Sequence, residues 1–293
     1  MGIWTKAWPI LKVVFKLSFT IAALTWVVYN VDMSAVKTIW KNSDPLMLFA
    51  AFIAFFVSQI FASTRIRSYF LATGLKLSEW SNYKLYLLGM FYNMFLPGGV
   101  GGDGYKIYYL RKTHHADTRK LILATLLDKA SGLWALCVIS LVLLLKLPQL
   151  HIPSIWIWLL MIVGTIIYYL IYSIGFKSFL SSFVTTNVKA MGVQLCQVLS
   201  VVFTLYALGI KENHTPYLVL FMVSSLVALF PLTIGGLGAR ELVFMYGAEY
   251  YALDAQIGVA ISLFFYVISA LASLPGLYFV FYNKSLEDSP IAD

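Results

Sequence analysis

The run Phe95-Leu96-Pro97-Gly98-Gly99-Val100-Gly101-Gly102-Asp103-Gly104-Tyr105-Lys106 constrains this chain more than any other. Interior glycine costs a helix about 1 kcal/mol relative to alanine, and proline about 3, so the run is expected to break the apolar segment that leads into it. Its neighbours read as membrane-embedded, and broken backbone at membrane depth is tolerated only where it is buried in protein or lines a cavity. A second stretch, Phe230 to Glu241, has the same form: in each, a proline is followed four residues later by Gly-Gly. Both are read as tips of re-entrant hairpins. Asn93, Pro97, Gly101 and Gly102 mark the first; Pro231, Gly235, Gly236 and Gly238 mark the second.

The membrane reading rests on composition. The chain is 60% hydrophobic and 12% charged, whereas a soluble domain carries about 25% charged residues. Apolar runs of about 20 residues mark spans. They fall at about 12–31, 46–64, 120–145, 154–175, 189–210 and 256–282, with shorter runs at about 83–96 and 216–230 leading into the tips. The expected fold is an all-α polytopic membrane protein, a single domain with about six full spans and two hairpins. The order span, span, hairpin, span occurs twice, in residues 1–148 and 149–293. The halves start on opposite sides, which makes an inverted repeat, an arrangement found in transporters.

Orientation follows from basic residues. Arg65, Arg67, Lys76 and Lys84 precede the first hairpin, and Lys106, Arg111, Lys112, Arg119 and Lys120 follow it. Cytoplasmic loops concentrate Lys and Arg, so this hairpin starts and ends in the cytoplasm. Arg65 and Arg67 are read as anchors at a span end. Both termini are expected in the cytoplasm, in a multi-pass protein of the cell membrane. Lys6, Lys12 and Lys16 precede an apolar run with no clear small-x-small cleavage site, so the first span is read as uncleaved.

Lys and Arg outnumber Asp and Glu by 21 to 13. Basic loops and anionic headgroups explain that excess, so nucleic acid is not an expected partner. Cys137 and Cys196 lie inside apolar spans, which argues against a disulfide framework. His114 and His115 are adjacent with no third ligand near. Neither a metal nor another cofactor is expected. There is no Gly-x-Ser-x-Gly elbow and no soluble catalytic domain, so the chain is not expected to be an enzyme.

Three pairs of charged residues are candidates for a substrate-binding site. Asp103 and Lys106 stand one helical turn apart at the first tip, where glycines let backbone amides face an anion. Asp103 could equally cap a helix starting near Tyr105. Asp128 and Lys129 are adjacent within a span. Neighbours diverge by about 100° on a helix, so each needs a partner elsewhere, whether an ion pair between halves or a ligand. Arg240 and Glu241 close the second tip. Arginine suits bidentate phosphate recognition, and a structural pairing with Asp103 or Asp128 is the competing reading.

Asn93-Met94-Phe95-Leu96-Pro97-Gly98-Gly99-Val100-Gly101-Gly102-Asp103 resembles the first signature of the lysylphosphatidylglycerol synthase transmembrane-region family. Pro231 to Glu241 looks like that family's later Pro-x-x-x-Gly-Gly-x-Gly-x-x-Glu pattern, and Asp128-Lys129 like its acidic-basic pair. Lys106 stands where the family often has arginine. Members include the flippase half of the multiple peptide resistance factors and stand-alone proteins of polyprenyl-phosphate or glycolipid pathways. The resemblance implies a translocator for a phosphate-bearing lipid, such as an aminoacyl-phospholipid or a polyprenyl-phosphate-linked glycolipid. The soluble aminoacyl-transferase domain of fused members is absent, so synthesis of the aminoacyl lipid is not implied. An ion-coupled solute transporter and a non-transporting partner of a lipid-modifying enzyme are the alternatives. A closed cavity favours the former and a solid interior the latter.

Overall fold

A computed structural model describes residues 32–95, 101–147, 152–229 and 236–282, with a few helical positions between 18 and 29. Most of the expected first span lies outside the described residues, as do Pro97, Pro231 and Gly235. Every regular element among the described residues is helical.

An amphipathic helix comes first, α1 (Met33–Asn42), capped by Asp32, which accepts from the backbone N–H groups of Ser34 and Ala35. It buries Val36 and stacks Trp40 on Phe264 with ring centroids 4.3 Å apart. The long helix α2 (Pro45–Ala72) begins at an Asp44 cap with proline in its first turn, a position where the missing N–H has no helical partner to lose. Two short helices follow, α3 (Glu79–Phe95) and α4 (Gly101–His114). Then come α5 (Thr118–Leu144), capped by Asp117, and α6 (Ser154–Gly175). A 3-10 turn, Lys177–Ser182, runs into α7 (Phe183–Ala207). A second short pair, α8 (His214–Leu229) and α9 (Ala239–Tyr250), precedes α10 (Ala255–Ser273) and α11 (Pro275–Phe281).

Among the described residues, five segments are long and apolar enough to cross a membrane: 45–72, 118–144, 154–175, 177–207 and 255–281. They match the expected runs, with three differences: α2 runs on past residue 64 to Ala72, and two more lie further along the chain. The 3-10 lead-in lengthens α7 backwards, and the last span is broken at Leu274, because Pro275 has no N–H to continue the α10 ladder. The tip glycines hold a further correction. Gly101, Gly102 and Gly104 lie inside α4, so the helix starts before Tyr105. It tolerates them because Gly102 lies against Gly89 of α3, where a Cβ would fall on the Gly89 carbonyl.

α2 and α7 are the central pair. Ser200 Oγ donates to the Ala51 carbonyl at 2.8 Å, and Lys189 Nζ donates to the Thr64 carbonyl and Ser68 Oγ at 3.0 and 2.9 Å. Apolar packing divides into two large clusters along the long helices. One gathers Phe55, Leu136, Val201, Phe221, Phe244 and Phe265 around α8, α9 and α10. The other gathers Ile66, Tyr69, Phe70, Leu88, Leu110 and Leu127 around α3 and α4. Between them α2 and α5 carry buried polar residues: Ser58, Gln59, Ser63 and Arg65 on α2, Asp128 and Ser131 on α5. A polar layer halfway along two membrane-length helices is costly unless its groups are paired or reach water.

Candidate functional site

Arg65 and Asp128 meet in this layer. Arg65 Nε donates to Asp128 Oδ1 at 2.7 Å and Nη2 to Oδ2 at 3.2 Å, a two-pronged ion pair with both residues buried. The planar guanidinium matches the carboxylate. Gly132 makes room for it, since a Cβ there would stand 3.3 Å from Arg65 Nη1. Arg65 therefore is not a span-end anchor. α2 continues to Ala72, which places Arg65 inside the helix. Arg67 stays nearer the surface, donating to the Leu77 carbonyl and Glu79.

Lys129 points elsewhere, as the angle between neighbours requires. Its Nζ lies 2.8 Å from Asp103 Oδ2, and Lys106 Nζ lies 2.7 Å from Oδ1 of the same carboxylate. Asp103 and Lys106 are buried, whereas the Lys129 side chain is 52% exposed. Two ammonium groups thus share one carboxylate, leaving one positive charge in excess. Lys106 also lies 5.6 Å from the Tyr86 ring centroid, within cation–π range. The Tyr86 hydroxyl donates to Gln59 Oε1 at 2.8 Å, and Gln59 Nε2 donates to Ser58 Oγ. Asp103 is not the helix cap. That part belongs to Asn93, whose Oδ1 accepts from the Gly102 N–H at 2.9 Å and ties α4 back to α3.

A cavity of about 190 Å³ opens beside these groups. Gln59 and Arg65 of α2, Tyr86 of α3, Lys129 of α5, and Gln194 and Gln197 of α7 line it. Leu229, the last described residue of α8, borders it too. Lys129 is 11 residues beyond Thr118, or about 17 Å along a helix rising 1.5 Å per residue. That is close to the middle of a hydrocarbon layer about 30 Å thick. It stands in an exposed stripe of α5: Ile122, Leu126, Lys129, Leu133 and Cys137. The charged side of the cavity therefore borders this exposed stripe, which Lys129 and Leu133 share with the cavity lining.

The second tip is built differently. Gly236 and Gly238 have φ of 84° and 87°, a left-handed backbone that favours glycine. Glu241 is buried, its carboxylate accepting from the Gly238 N–H and from Ser262 Oγ, the latter at 2.9 Å. That closes the first turn of α9 as half a capping box. Arg240 Nη1 donates to Ser225 Oγ at 3.0 Å and Ser224 Oγ at 3.3 Å, and its guanidinium lies 5.1 Å from the Phe265 ring centroid and 5.8 Å from that of Phe221. Among the described residues it pairs with no carboxylate. Neither Asp103 nor Asp128 joins it, since both are engaged within the first group.

Asp103, Lys106 and Lys129 are thus brought together, Asp128 adjoins them as the chain neighbour of Lys129 and pairs with Arg65, and Arg240 and Glu241 form a separate arrangement. Sequence reasoning missed Arg65 as a partner, Tyr86 and Gln194.

A family model described as Lysylphosphatidylglycerol synthase TM region matches residues 13–186. The match takes in the first tip and the Asp128-Lys129 pair and stops before the second tip. No curated protein matches the chain.

Proposed function

The chain belongs to the lysylphosphatidylglycerol synthase TM-region family, and we propose that it is a translocator, not an enzyme, moving a phosphate-bearing lipid across the cell membrane. The observation that carries this reading is Lys129, half-exposed at mid-membrane depth on an otherwise apolar stripe and bordering a cavity that mixes apolar side chains with Gln59, Arg65 and Gln194. A charged headgroup crossing hydrocarbon unaided meets the cost of losing its hydration. A seam of fixed dipoles and a net positive charge lowers that cost while the chains stay in the bilayer. The cavity's size fits this division. Its volume is that of about six waters at about 30 Å³ each, which suits a headgroup and not a whole lipid. The exposed apolar stripe beside the cavity supports a lipid over a soluble ion or solute, and the cavity argues against a purely scaffolding role.

In this reading the α3–α4 and α8–α9 pairs are re-entrant hairpins of an inverted repeat with both termini cytoplasmic. Their helices, of 17, 14, 16 and 12 residues, reach about 18–26 Å at 1.5 Å per residue, short of a full span. Lys129 receives the phosphate. Asp103 keeps that lysine from holding the phosphate too tightly, and Lys106 holds Asp103 in place. Asp128 orients Arg65 at the cavity wall. Arg240, lacking a described carboxylate partner, is a second phosphate contact at the other tip, and Glu241 holds the backbone that presents it.

The test is translocation in proteoliposomes. Fluorescent phosphatidylglycerol in the inner leaflet is followed by its exposure to an external quencher. The parent protein should speed transfer well above protein-free vesicles, and Lys129→Met should slow it about tenfold while eluting as a folded, monodisperse species. Transfer no faster than in empty vesicles, or a Lys129→Met rate equal to the parent's, overturns the proposal.

A further inference from the structure

The seam between α2 and α7 carries a second pair of cations, and neither lines the cavity. Lys189 of α7 donates to two neutral acceptors of α2, the Thr64 carbonyl and Ser68 Oγ. An ammonium has three N–H donors, so one is left over. Lys189 joins no ion pair among the described residues. Arg67 follows from the other side of Ser68. Its Nε donates to the Leu77 carbonyl, and its Nη1 reaches Glu79 at 3.3 Å. Its Nη2 has no partner among the described residues. The Glu79 side chain is 77% exposed, and a pair open to water contributes little. Arg67 and Glu79 are both close enough for their charges to act on Lys189. The three groups leave one positive charge in excess.

The helix lengths set the depth of this seam. At 28 residues α2 reaches about 42 Å, about 12 Å more than the hydrocarbon layer. Ser68 stands four residues before its end, about 6 Å along the axis. Centred on the layer, α2 therefore puts Ser68 at the hydrocarbon edge, where lipid phosphates begin. Trp80, exposed and next in the chain to Glu79, fits that level, since tryptophan gathers at membrane–water interfaces. The surface immediately deeper is apolar and exposed: Ile60 and Phe61 on α2, Leu195 and Leu199 on α7. Phe61 closes the seam by packing on Gly192, where a Cβ would stand 3.0 Å from its ring. The excess charge matches an anion, and the apolar strip beneath it matches an anion that carries hydrocarbon chains.

We infer that Lys189 and Arg67 hold the phosphate of a resident anionic lipid at the α2–α7 seam, a site separate from the cavity, whose occupant ties the two central helices together. The third Lys189 donor and Arg67 Nη2 are the groups available to the phosphate, and charge-assisted hydrogen bonds of this kind are the strong ones. The chains lie along Phe61 and the exposed leucines. The site does not depend on what the cavity transports.

Thermal unfolding of the delipidated full chain in detergent tests this with three additives. Phosphatidylglycerol brings charge and chains, phosphatidylcholine chains and a phosphate without net charge, and sodium phosphate charge without chains. Phosphatidylglycerol in excess should raise the parent's melting temperature by about 4 °C, and the other two by less than about 1 °C. Lys189→Met should lose at least half of that gain, and Lys189→Arg, which keeps the charge, should retain it. Should Lys189→Met elute as aggregate, Arg67→Gln carries the same expectation of loss. Lys129→Met should keep the gain, which separates this site from the cavity. An equal gain from phosphatidylcholine or from sodium phosphate overturns the inference. So does a gain that survives in Lys189→Met and Arg67→Gln while their own melting temperatures fall, because Lys189 is then only a staple between helices. A gain lost in Lys129→Met and kept in Lys189→Met moves the lipid to the cavity and overturns it too. Absence of transfer in proteoliposomes with the gain intact leaves this site standing and removes only the translocator reading.

Discussion

The two glycine tips look alike in sequence and solve opposite problems. At the first, charge is met by charge. Asp103 sits between Lys106 and Lys129, and Arg65 holds Asp128 by two hydrogen bonds. At the second, charge is met by neutral groups. Glu241 is held by a backbone N–H and a serine, and Arg240 by two serines and two aromatic rings. Hydroxyls and rings can be rearranged by rotating a side chain. An ion pair inside a low-dielectric layer cannot lose a member without stranding the other. A shared Pro-x-x-x-Gly-Gly pattern therefore says little about the electrostatics it supports.

The two arginines break the comparison most severely if it is wrong. Arg65→Met strands buried Asp128 and should lower stability by about 3–5 kcal/mol, with Asp128→Leu in the same chain restoring most of it. Arg240→Met leaves serines that can bond to one another or to their own helix, and should cost only about 1 kcal/mol. Denaturant or thermal unfolding in detergent reads both. Equal losses would mean that Arg240 also answers a buried carboxylate.

The acidic residues come next. Asp103→Asn leaves Lys106 and Lys129 facing each other without a carboxylate and should cost about 3 kcal/mol, at the lower end for breaking a buried pair because Lys129 is half-exposed. Glu241→Gln keeps an oxygen for the Gly238 N–H or the Ser262 hydroxyl, and should cost about 1 kcal/mol. Detergent unfolding of the two variants side by side decides; a larger loss for Glu241→Gln reverses the assignment of charge to the first tip.

The smallest difference is in the glycines themselves. Gly102→Ala pushes a methyl onto the Gly89 carbonyl, an overpacking that should cost about 2–3 kcal/mol. Gly236→Ala meets a left-handed backbone, a penalty of about 1–2 kcal/mol. Its new Cβ would also stand 3.1 Å from Arg240 Nε. Apparent melting temperatures rank them, and Gly102→Ala should lie lower.

Much of the fold was legible because lipid imposes a length on apolar segments. The run expected at 154–175 is α6, and those expected at 83–96 and 216–230 are the cores of α3 and α8. Helix α1 was missed because it lies outside any span-length run. Its traces were the Asp32 cap with Ser34 after it and Val36, Ile39 and Trp40 at helical spacing. The break at Leu274 was missed because Pro275 sits inside a continuous apolar run. Within the site, the charges of the first tip announced themselves by their cost at depth. Arg65 did not, because an arginine near a span end reads the same whether it faces headgroups or a carboxylate 63 residues away. Gln194 was invisible for a simpler reason. Gln194 and Gln197 in an apolar run carry no signature, and only their position against the cavity gives them meaning.

Between most helices a layer of side chains acts as a bearing. It can change rotamer and let one rod slip past the other. Where Gly102 meets Gly89 that bearing is missing, and backbone lies directly on backbone. Asn93, one turn beyond Gly89 on α3, pins the same joint by accepting from the Gly102 N–H. So α3 and α4 are geared together and turn as one arm. Tyr86 rides on one half of that arm and Lys106 on the other. Any stroke that moves the buried lysine relative to α5 must carry its aromatic neighbour along, and the charge travels with its own packing.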